Sequence, residues 1–246
     1  MAPLHSNAQA PSGSTERPPS SHRKARRDEN HLLVSYLTLR KAVGTLGMLL
    51  PALLVLGEVL AFRTARIQES ISSYYYTGMR DVFVGTMCAL GVFLFTYRGY
   101  DERDNRAGKA ACAGAIGLAL CPTTPALSCP TATTWSGYVH LGCASLFFLS
   151  LAYFSLFLFT ETDDPQRRTP QKIRRNRVYR TCGVVMLGAL AALLVYQGLL
   201  PESLKCRLSR YSPVFWLESV AIVAFGVSWF AKGEGLGLMR DPREPG

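Results

Sequence analysis

The hydrophobic and polar positions of this chain form long apolar runs that are separated by short charged segments. Six apolar runs can be distinguished, over residues 42–62, 79–97, 107–121, 135–160, 180–200 and 213–231. Most of them are close to the roughly 20 residues with which an α-helix crosses a ~30 Å hydrocarbon core. The pattern therefore predicts an all-α, polytopic membrane protein, a bundle of six transmembrane helices.

A soluble helical protein is the alternative, and one of the runs argues against it. The run "GCASLFFLSLAYFSLFLFT" has no polar face, whereas a helix at the surface of a soluble protein keeps one. Six spans and their connecting segments take up residues 30–234 of the 246-residue chain. They leave no room for a soluble catalytic domain, so we expect any chemistry among the helices or in short loops.

The two ends of the chain differ in composition from the apolar part. Residues 1–29 are basic and rich in Pro and Ser, with too few apolar residues to form a core, so we predict a disordered cytoplasmic tail. This segment also lacks the early apolar core of a signal peptide. Residues 30–234 are predicted to form the six-helix transmembrane domain, and residues 235–246 a flexible cytoplasmic tail.

The distribution of positive charge predicts the orientation in the membrane. The formal net charge is +10, and the 27 Lys and Arg residues divide unevenly between the two sides of a six-span bundle. Twenty-one of them fall on the side of the two termini and six on the opposite side. Because Lys and Arg accumulate in cytoplasmic segments, we expect a multi-pass protein of the cell membrane with both termini cytoplasmic.

Basic residues also suggest a partner for the segment "QRRTPQKIRRNRVYR". Its Arg174, Arg175 and Arg177 lie directly before a predicted span, where we expect them to contact anionic lipids of the inner leaflet. The lipid bilayer is thus the expected partner. Nucleic-acid binding is the less economical explanation of the charge, and no cofactor is expected.

Five ionisable residues lie inside or at the edge of the apolar runs, where such residues are energetically costly and are therefore functional candidates. With the deduced topology all of them fall in the outer half of the membrane: Glu58, Arg80, Asp81, His140 and Glu218. Neighbours in a helix do not face each other, so Arg80 and Asp81 need partners on other elements. We predict a buried polar network with Arg80 between carboxylates. The alternative is structural, since an acid in the first turn of a helix favours the helix dipole.

The segment "ESISSYYYTGMRD" precedes the second predicted span and contributes a further candidate, Tyr75. Tyrosines at this depth fit the aromatic belt of a membrane protein. The functional alternative is that the tyrosines wall a headgroup site together with Ser72, Ser73 and Trp135, with hydroxyl groups that bind phosphate or sugar. The sequence leaves both open.

Cys121 and Cys129 flank a Pro-rich segment that the topology places outside. A disulfide between them is plausible in an oxidising compartment, and the alternative is two small buried thiols.

Several segments carry a resemblance to a known family. "SISSYYYTGMRDVFVG", "GVFLFTYRGYD", "ALCPTTP", "RNRVYRTCG" and "FWLESVAIVAFGVSWFAKGE" resemble a family of small bacterial multi-spanning membrane proteins of unassigned function, over about residues 36 to 235. The family looks distantly like the DRAM/Sfk group of six-span proteins. The resemblance implies a topology and no mechanism.

Three functions compete on this basis. The first is an integral membrane protein whose outer polar pocket binds a lipid headgroup or a small solute, or supports a membrane complex. The second is a metal-dependent hydrolase of membrane lipids, with Asp81, His140 and Glu218 as metal ligands. It is similar to the alkaline-ceramidase-like superfamily, which uses three His where this chain offers one in its spans. The third is an ion-coupled carrier, although no inner-half charges complete a path.

Overall fold

The computed structural model describes residues 20–63, 66–97, 101–125, 132–161 and 169–233, with side chains from Leu37 onward. Every regular element in these ranges is helical, so the predicted all-α class is confirmed. The helices are α1 Ser20–Phe62, α2 Arg80–Thr96, α3 Glu102–Leu120, α4 Trp135–Tyr153, α5 Pro170–Gly198, α6 Glu202–Ser209 and α7 Pro213–Lys232. A 3₁₀ turn, Ser72–Tyr76, precedes α2, and a π-helical turn, Phe154–Leu158, extends α4.

The chain divides into two compact units, residues 1–36 and residues 37–246. The described part of the first unit is helical from Ser20, so the helix starts within the segment that we predicted as a disordered tail. Ala, Arg, Lys and Glu, which are good helix formers, are frequent in residues 20–29. The remaining tail predictions, over residues 1–19 and 235–246, lie outside the described residues.

Among the described residues, four helical segments are long and apolar enough to cross a membrane: Leu37–Phe62, Trp135–Leu158, Pro170–Gly198 and Pro213–Lys232. They coincide with the first, fourth, fifth and sixth of the apolar runs. The second and third runs become α2, which has 17 residues, and α3, which begins with the charged sequence "ERDNR". A membrane protein is thus supported by four apolar helices.

Local sequence signals explain where several helices begin. The Asp101 side chain accepts hydrogen bonds from the backbone N–H groups of Arg103 and Asp104, and Asp104 completes a capping box at α3. Thr134 caps α4 through the N–H of Gly137. Thr169 caps α5, where Pro170 occupies the first turn and needs no N–H partner.

Small residues allow close packing between the helices of the second unit. A Cβ atom on Gly44 of α1 would lie 2.5 Å from the backbone N of Phe230 in α7, and one on Gly226 would lie 2.6 Å from the carbonyl O of Gly44. A Cβ on Gly114 of α3 would lie 2.7 Å from the N of Phe147 in α4. Such backbone contacts are typical of helices that associate in lipid.

The two ends of this bundle are built from different kinds of residues. One end, the loop pole, carries residues 66–79 and the start of α7. The other end, the aromatic pole, carries a cluster of buried rings around Trp229, which is 1% exposed. Its neighbours stack edge to face at centroid distances of 5.0 Å for Tyr97, 5.5 Å for Phe154 and 5.2 Å for Phe159.

Candidate functional site

The loop pole is organised around residues 69–77, the cap loop, which holds most of the polar sequence that precedes α2. Its turn is stabilised locally, because the N–H of Ser73 donates to the carbonyl O of Ser70 at 3.2 Å and to the Ser70 hydroxyl at 2.9 Å. The Thr77 hydroxyl donates to the carbonyl O of Tyr74 at 3.1 Å. Short hydroxyl side chains favour turns in this manner.

His140 of α4 binds the cap loop from the side. Its Nδ1 lies 2.7 Å from the carbonyl O of Cys121, and its Nε2 lies 2.8 Å from the hydroxyl O of Ser72. Because a carbonyl oxygen only accepts, Nδ1 carries the proton and Nε2 accepts from Ser72. The ring is 6% exposed, so both of its nitrogen atoms are satisfied inside the protein.

Glu218 of α7 binds the same loop through its backbone. Its Oε2 accepts a hydrogen bond of 2.7 Å from the N–H of Ile71. One turn earlier, the N–H of Phe215 donates to the carbonyl O of Glu69 at 2.9 Å. The start of α7 therefore holds two points of the cap loop, and the carboxylate of Glu218 does so as a hydrogen-bond acceptor.

Glu58 of α1 lies next to Tyr74 of the cap loop. Glu58 is 6% exposed and its carboxylate is close to Tyr74, which is fully buried and packs on Phe215 with 6.2 Å between ring centroids. Within the described part of the chain, Oε2 of Glu58 has no hydrogen-bond partner. Burial raises the pKa of Tyr74, and the Glu58 carboxyl adds a smaller rise.

Arg80 and Asp81 differ from these three residues because both are exposed. The Arg80 guanidinium donates to the Tyr75 hydroxyl at 2.8 Å and lies 4.4 Å from the centroid of that ring. Among the described residues it forms no ion pair. The predicted arrangement, with Arg80 between carboxylates, is therefore wrong. A tyrosine at the rim offers a hydroxyl and a π face without the cost of desolvating the guanidinium.

The geometry of Ser72 and His140 is that of a nucleophile beside a base, so its surroundings determine what it can do. A cavity of about 30 Å³ lies beside Ser72, and its other lining residues are Glu218 and mostly apolar side chains such as Phe147. A space of this size holds one or two water molecules. The N–H of Ile71 is bound by Glu218 and that of Ser73 by Ser70, so these amides are not free to stabilise an oxyanion. The pair is best explained as a support of the loop.

The alternative set of metal ligands, Asp81, His140 and Glu218, is not brought together. Asp81 is exposed on α2, whereas both nitrogen atoms of His140 are occupied and Glu218 binds a backbone N–H. Over the described ranges, no group of three or more His, Cys, Asp or Glu side chains has the arrangement of a metal site.

The predicted disulfide is corrected by the structure. Cys121 is a free thiol, and its carbonyl oxygen serves His140 instead. Cys129 lies outside the described residues. Cys206 of α6 is the described cysteine that takes part in a disulfide. The sequence did not indicate this disulfide, because the spacing of Cys121 and Cys129 suggested a local pair, whereas α6 comes much later in the chain.

A second feature of the loop pole was not predicted from the sequence. A polar cleft of about 310 Å³ opens between residues 66–69 of the α1–α2 connection and the α6–α7 junction. It is lined by Arg66, Ile67, Glu69, Ser209, Arg210, Tyr211, Ser212 and Trp216. Nothing in the sequence indicated that the segments of Arg66 and Arg210 meet.

The walls of this polar cleft are fixed by contacts. Ser212 has a φ of 49°, a left-handed conformation that is uncommon for a residue other than glycine, and it is 7% exposed. Its hydroxyl donates to the carbonyl O of Ile67 at 3.4 Å, which joins the two sides of the cleft. The Arg210 guanidinium lies 4.6 Å from the centroid of the Tyr211 ring and donates to its hydroxyl.

Comparison with known proteins identifies no relative: no protein family, no curated protein and no solved structure matches the chain. A function must therefore be inferred from the fold, the cap loop and the polar cleft.

Proposed function

We propose that this chain is a multi-pass protein of the cell membrane that crosses the bilayer six times, with the loop pole outside and both termini in the cytoplasm. The four apolar helices support the membrane setting. The 17 residues of α2 add a segment of roughly 26 Å, close to the thickness of the hydrocarbon core. In α3, the charged first turns lie at the cytoplasmic surface.

Two observations support this orientation. The Lys and Arg residues divide 21 to 6 in favour of the side of the aromatic pole. On the side of the loop pole, Cys206 takes part in a disulfide, a bond that persists in oxidising compartments.

On the cytoplasmic side, Arg174 and Arg177 are exposed in the first turns of α5, where anionic lipids of the inner leaflet are their partners.

The function of the loop pole in this proposal is to bind a lipid headgroup or a small solute in the polar cleft. The cleft itself carries the proposal, because about 310 Å³ is at the lower end of the range for ligand pockets, whereas the cavity beside Ser72 admits only water. Buried His140 and half-buried Glu218 hold the cap loop by hydrogen bonds, and buried Glu58 lies beside it. Exposed Arg80 and Asp81 and half-buried Tyr75 form its rim.

The test is to fill the polar cleft and measure ligand binding. Short-chain phospholipids are added to the purified protein in detergent, and the rise in unfolding temperature reports binding to the folded state. Ser209→Trp places a large ring in the cleft and is expected to abolish the rise. Ser203→Trp, on the exposed side of α6, is the matched control and is expected to keep it. The proposal fails when no lipid stabilises the protein, or when both variants respond alike.

An enzyme acting on membrane lipids is the second candidate, and the 2.8 Å contact of Ser72 with His140 is the observation that favours it. A fluorophosphonate probe labels an activated serine. Labelling of Ser72 that is lost in His140→Gln would establish this candidate. Absence of labelling in the folded protein would leave Ser72 and His140 with the supporting role.

A further inference from the structure

The composition of the polar cleft indicates which ligand it takes, and this step rests on the proposed function. The cleft contains two cationic side chains, Arg66 and Arg210, and one anionic side chain, Glu69. Within the described residues, no ion pair joins Glu69 to either arginine. All three are exposed, so their charges face a ligand or water rather than each other.

We infer that the polar cleft binds a zwitterionic headgroup of the phosphoethanolamine type, a phosphate joined by a short linker to a primary ammonium. Two guanidinium groups match the phosphate, because their planar N–H donors bind its oxygen atoms in pairs. The Glu69 carboxylate accepts hydrogen bonds from the ammonium group. A purely anionic headgroup would leave Glu69 as a repulsive neighbour.

The aromatic side chains of the cleft fit the same ligand. Tyr211 and Trp216 are 59% and 54% exposed, and Trp216 lies in the first turn of α7, at the level of lipid headgroups. Because the Arg210 guanidinium already lies over the Tyr211 ring, the Trp216 ring is the one that offers an ammonium group a cation–π attraction. The volume of about 310 Å³ suits a headgroup whose acyl chains remain in the bilayer, because it is small for a whole lipid.

The cleft is preorganised for such a ligand. Ser212 is held in its left-handed conformation and bonds to Ile67 across the cleft. The backbone of Glu69 is fixed by its bond to Phe215, so the carboxylate projects from an anchored point. Fixed walls lower the ordering cost of binding.

The experiment measures dissociation constants of the full-length protein in detergent for dihexanoyl lipids with phosphoethanolamine and with phosphoglycerol headgroups. We expect the phosphoethanolamine lipid to bind about tenfold more tightly, a difference equivalent to one charge-assisted hydrogen bond. Glu69→Gln should reduce this ratio to nearly one. Arg66→Gln and Arg210→Gln should each weaken binding of both lipids about tenfold. Arg207→Gln, an exposed arginine of α6 outside the cleft, is the control and should change neither constant.

A parallel titration with soluble phosphoethanolamine distinguishes the source of the ligand. Binding as tight as that of the lipid assigns the site to a soluble solute of this class, and much weaker binding assigns it to the bilayer. Equal binding of the two lipids, unchanged in Glu69→Gln, would overturn the inference. In that case the response of Ser209→Trp still determines whether the cleft binds lipid at all, so the two proposals fail separately.

Discussion

The aromatic pole and the loop pole bury polar side chains in different ways. At the aromatic pole, Arg40 lies 5.3 Å from the centroid of the Tyr97 ring and donates to its hydroxyl at 3.3 Å, and the Ser155 and Ser228 hydroxyls meet at 2.8 Å. At the loop pole, Glu218 binds the backbone of Ile71, and His140 binds the backbone of Cys121. At the aromatic pole, polar side chains thus bind other side chains. At the loop pole, they bind backbone groups and thereby hold a loop in place.

This difference predicts different consequences of substitution. Removing one ring from a closely packed cluster removes apolar contacts and leaves a cavity. Removing a side chain that binds the loop backbone leaves unpaired polar groups, which lowers the free energy of unfolding by a smaller amount. Such a substitution releases the loop locally and leaves the bundle folded. The aromatic pole should therefore determine stability and the loop pole the geometry of the polar cleft.

The largest expected effect is at the aromatic pole. Trp229→Ala removes a ring that is 1% exposed and contacts the rings of Tyr97, Phe154, Phe159 and Phe225, so the free energy of unfolding should fall by about 3–5 kcal/mol. Trp135→Ala removes a ring that is 82% exposed and serves as the control. The measurement is SDS-induced unfolding in mixed micelles. Similar losses in the two variants would contradict the packing described for Trp229.

The contact between α1 and α7 is expected to give the next effect. In Gly226→Ala the new methyl group meets the Gly44 carbonyl O at 2.6 Å, and backbone cannot move aside cheaply, so we expect a loss of about 2–3 kcal/mol. Gly188→Ala in α5 has open space and should be neutral or slightly stabilising, because alanine is the better helix former. The same unfolding assay compares them. A neutral Gly226→Ala would refute close contact.

A smaller loss of stability is expected at the loop pole. His140→Ala leaves the Ser72 hydroxyl and the Cys121 carbonyl without their partner, at a cost of about 1–2 kcal/mol. Asp81→Ala, at an exposed position on α2, should stay within about 0.5 kcal/mol. If Asp81→Ala proved the more damaging of the two, the supporting role of His140 would be contradicted.

The sequence predicts the apolar part of the fold well and the partners of polar residues poorly. The run at 135–160 corresponds closely to α4 and its π-helical turn, because apolar length is a local property. The partner of His140 is a backbone carbonyl 19 residues earlier, and every residue has such a carbonyl. Arg80 has a tyrosine as partner rather than an acid, since charge alone does not indicate which groups the fold brings near.

The smallest expected effect concerns the cap of α3, and it depends on pH. The Arg103 guanidinium holds the pKa of Asp101 below its usual range. The lowered pKa means that this carboxylate stabilises the folded state above its unfolded pKa, near 4, and that the contribution is lost as pH falls through the lower folded value. Asp101→Asn keeps an acceptor but does not titrate. The unfolding temperature of the Asp101→Asn variant should therefore fall less than that of the wild type between about pH 5 and pH 3. Parallel plots of unfolding temperature against pH for the two proteins would contradict this role of Asp101.

The most direct test of the account is hydrogen exchange in residues 69–77 of the protein in lipid nanodiscs. If buried side chains of the helices hold the cap loop, its amides exchange slowly in the wild type. They should exchange at least about tenfold faster in Glu218→Ala, because the acceptor of the Ile71 N–H is gone, whereas Glu218→Gln and the exposed variant Arg80→Gln retain protection. A loop that exchanges freely in the wild type, or equally in all four proteins, would contradict the account.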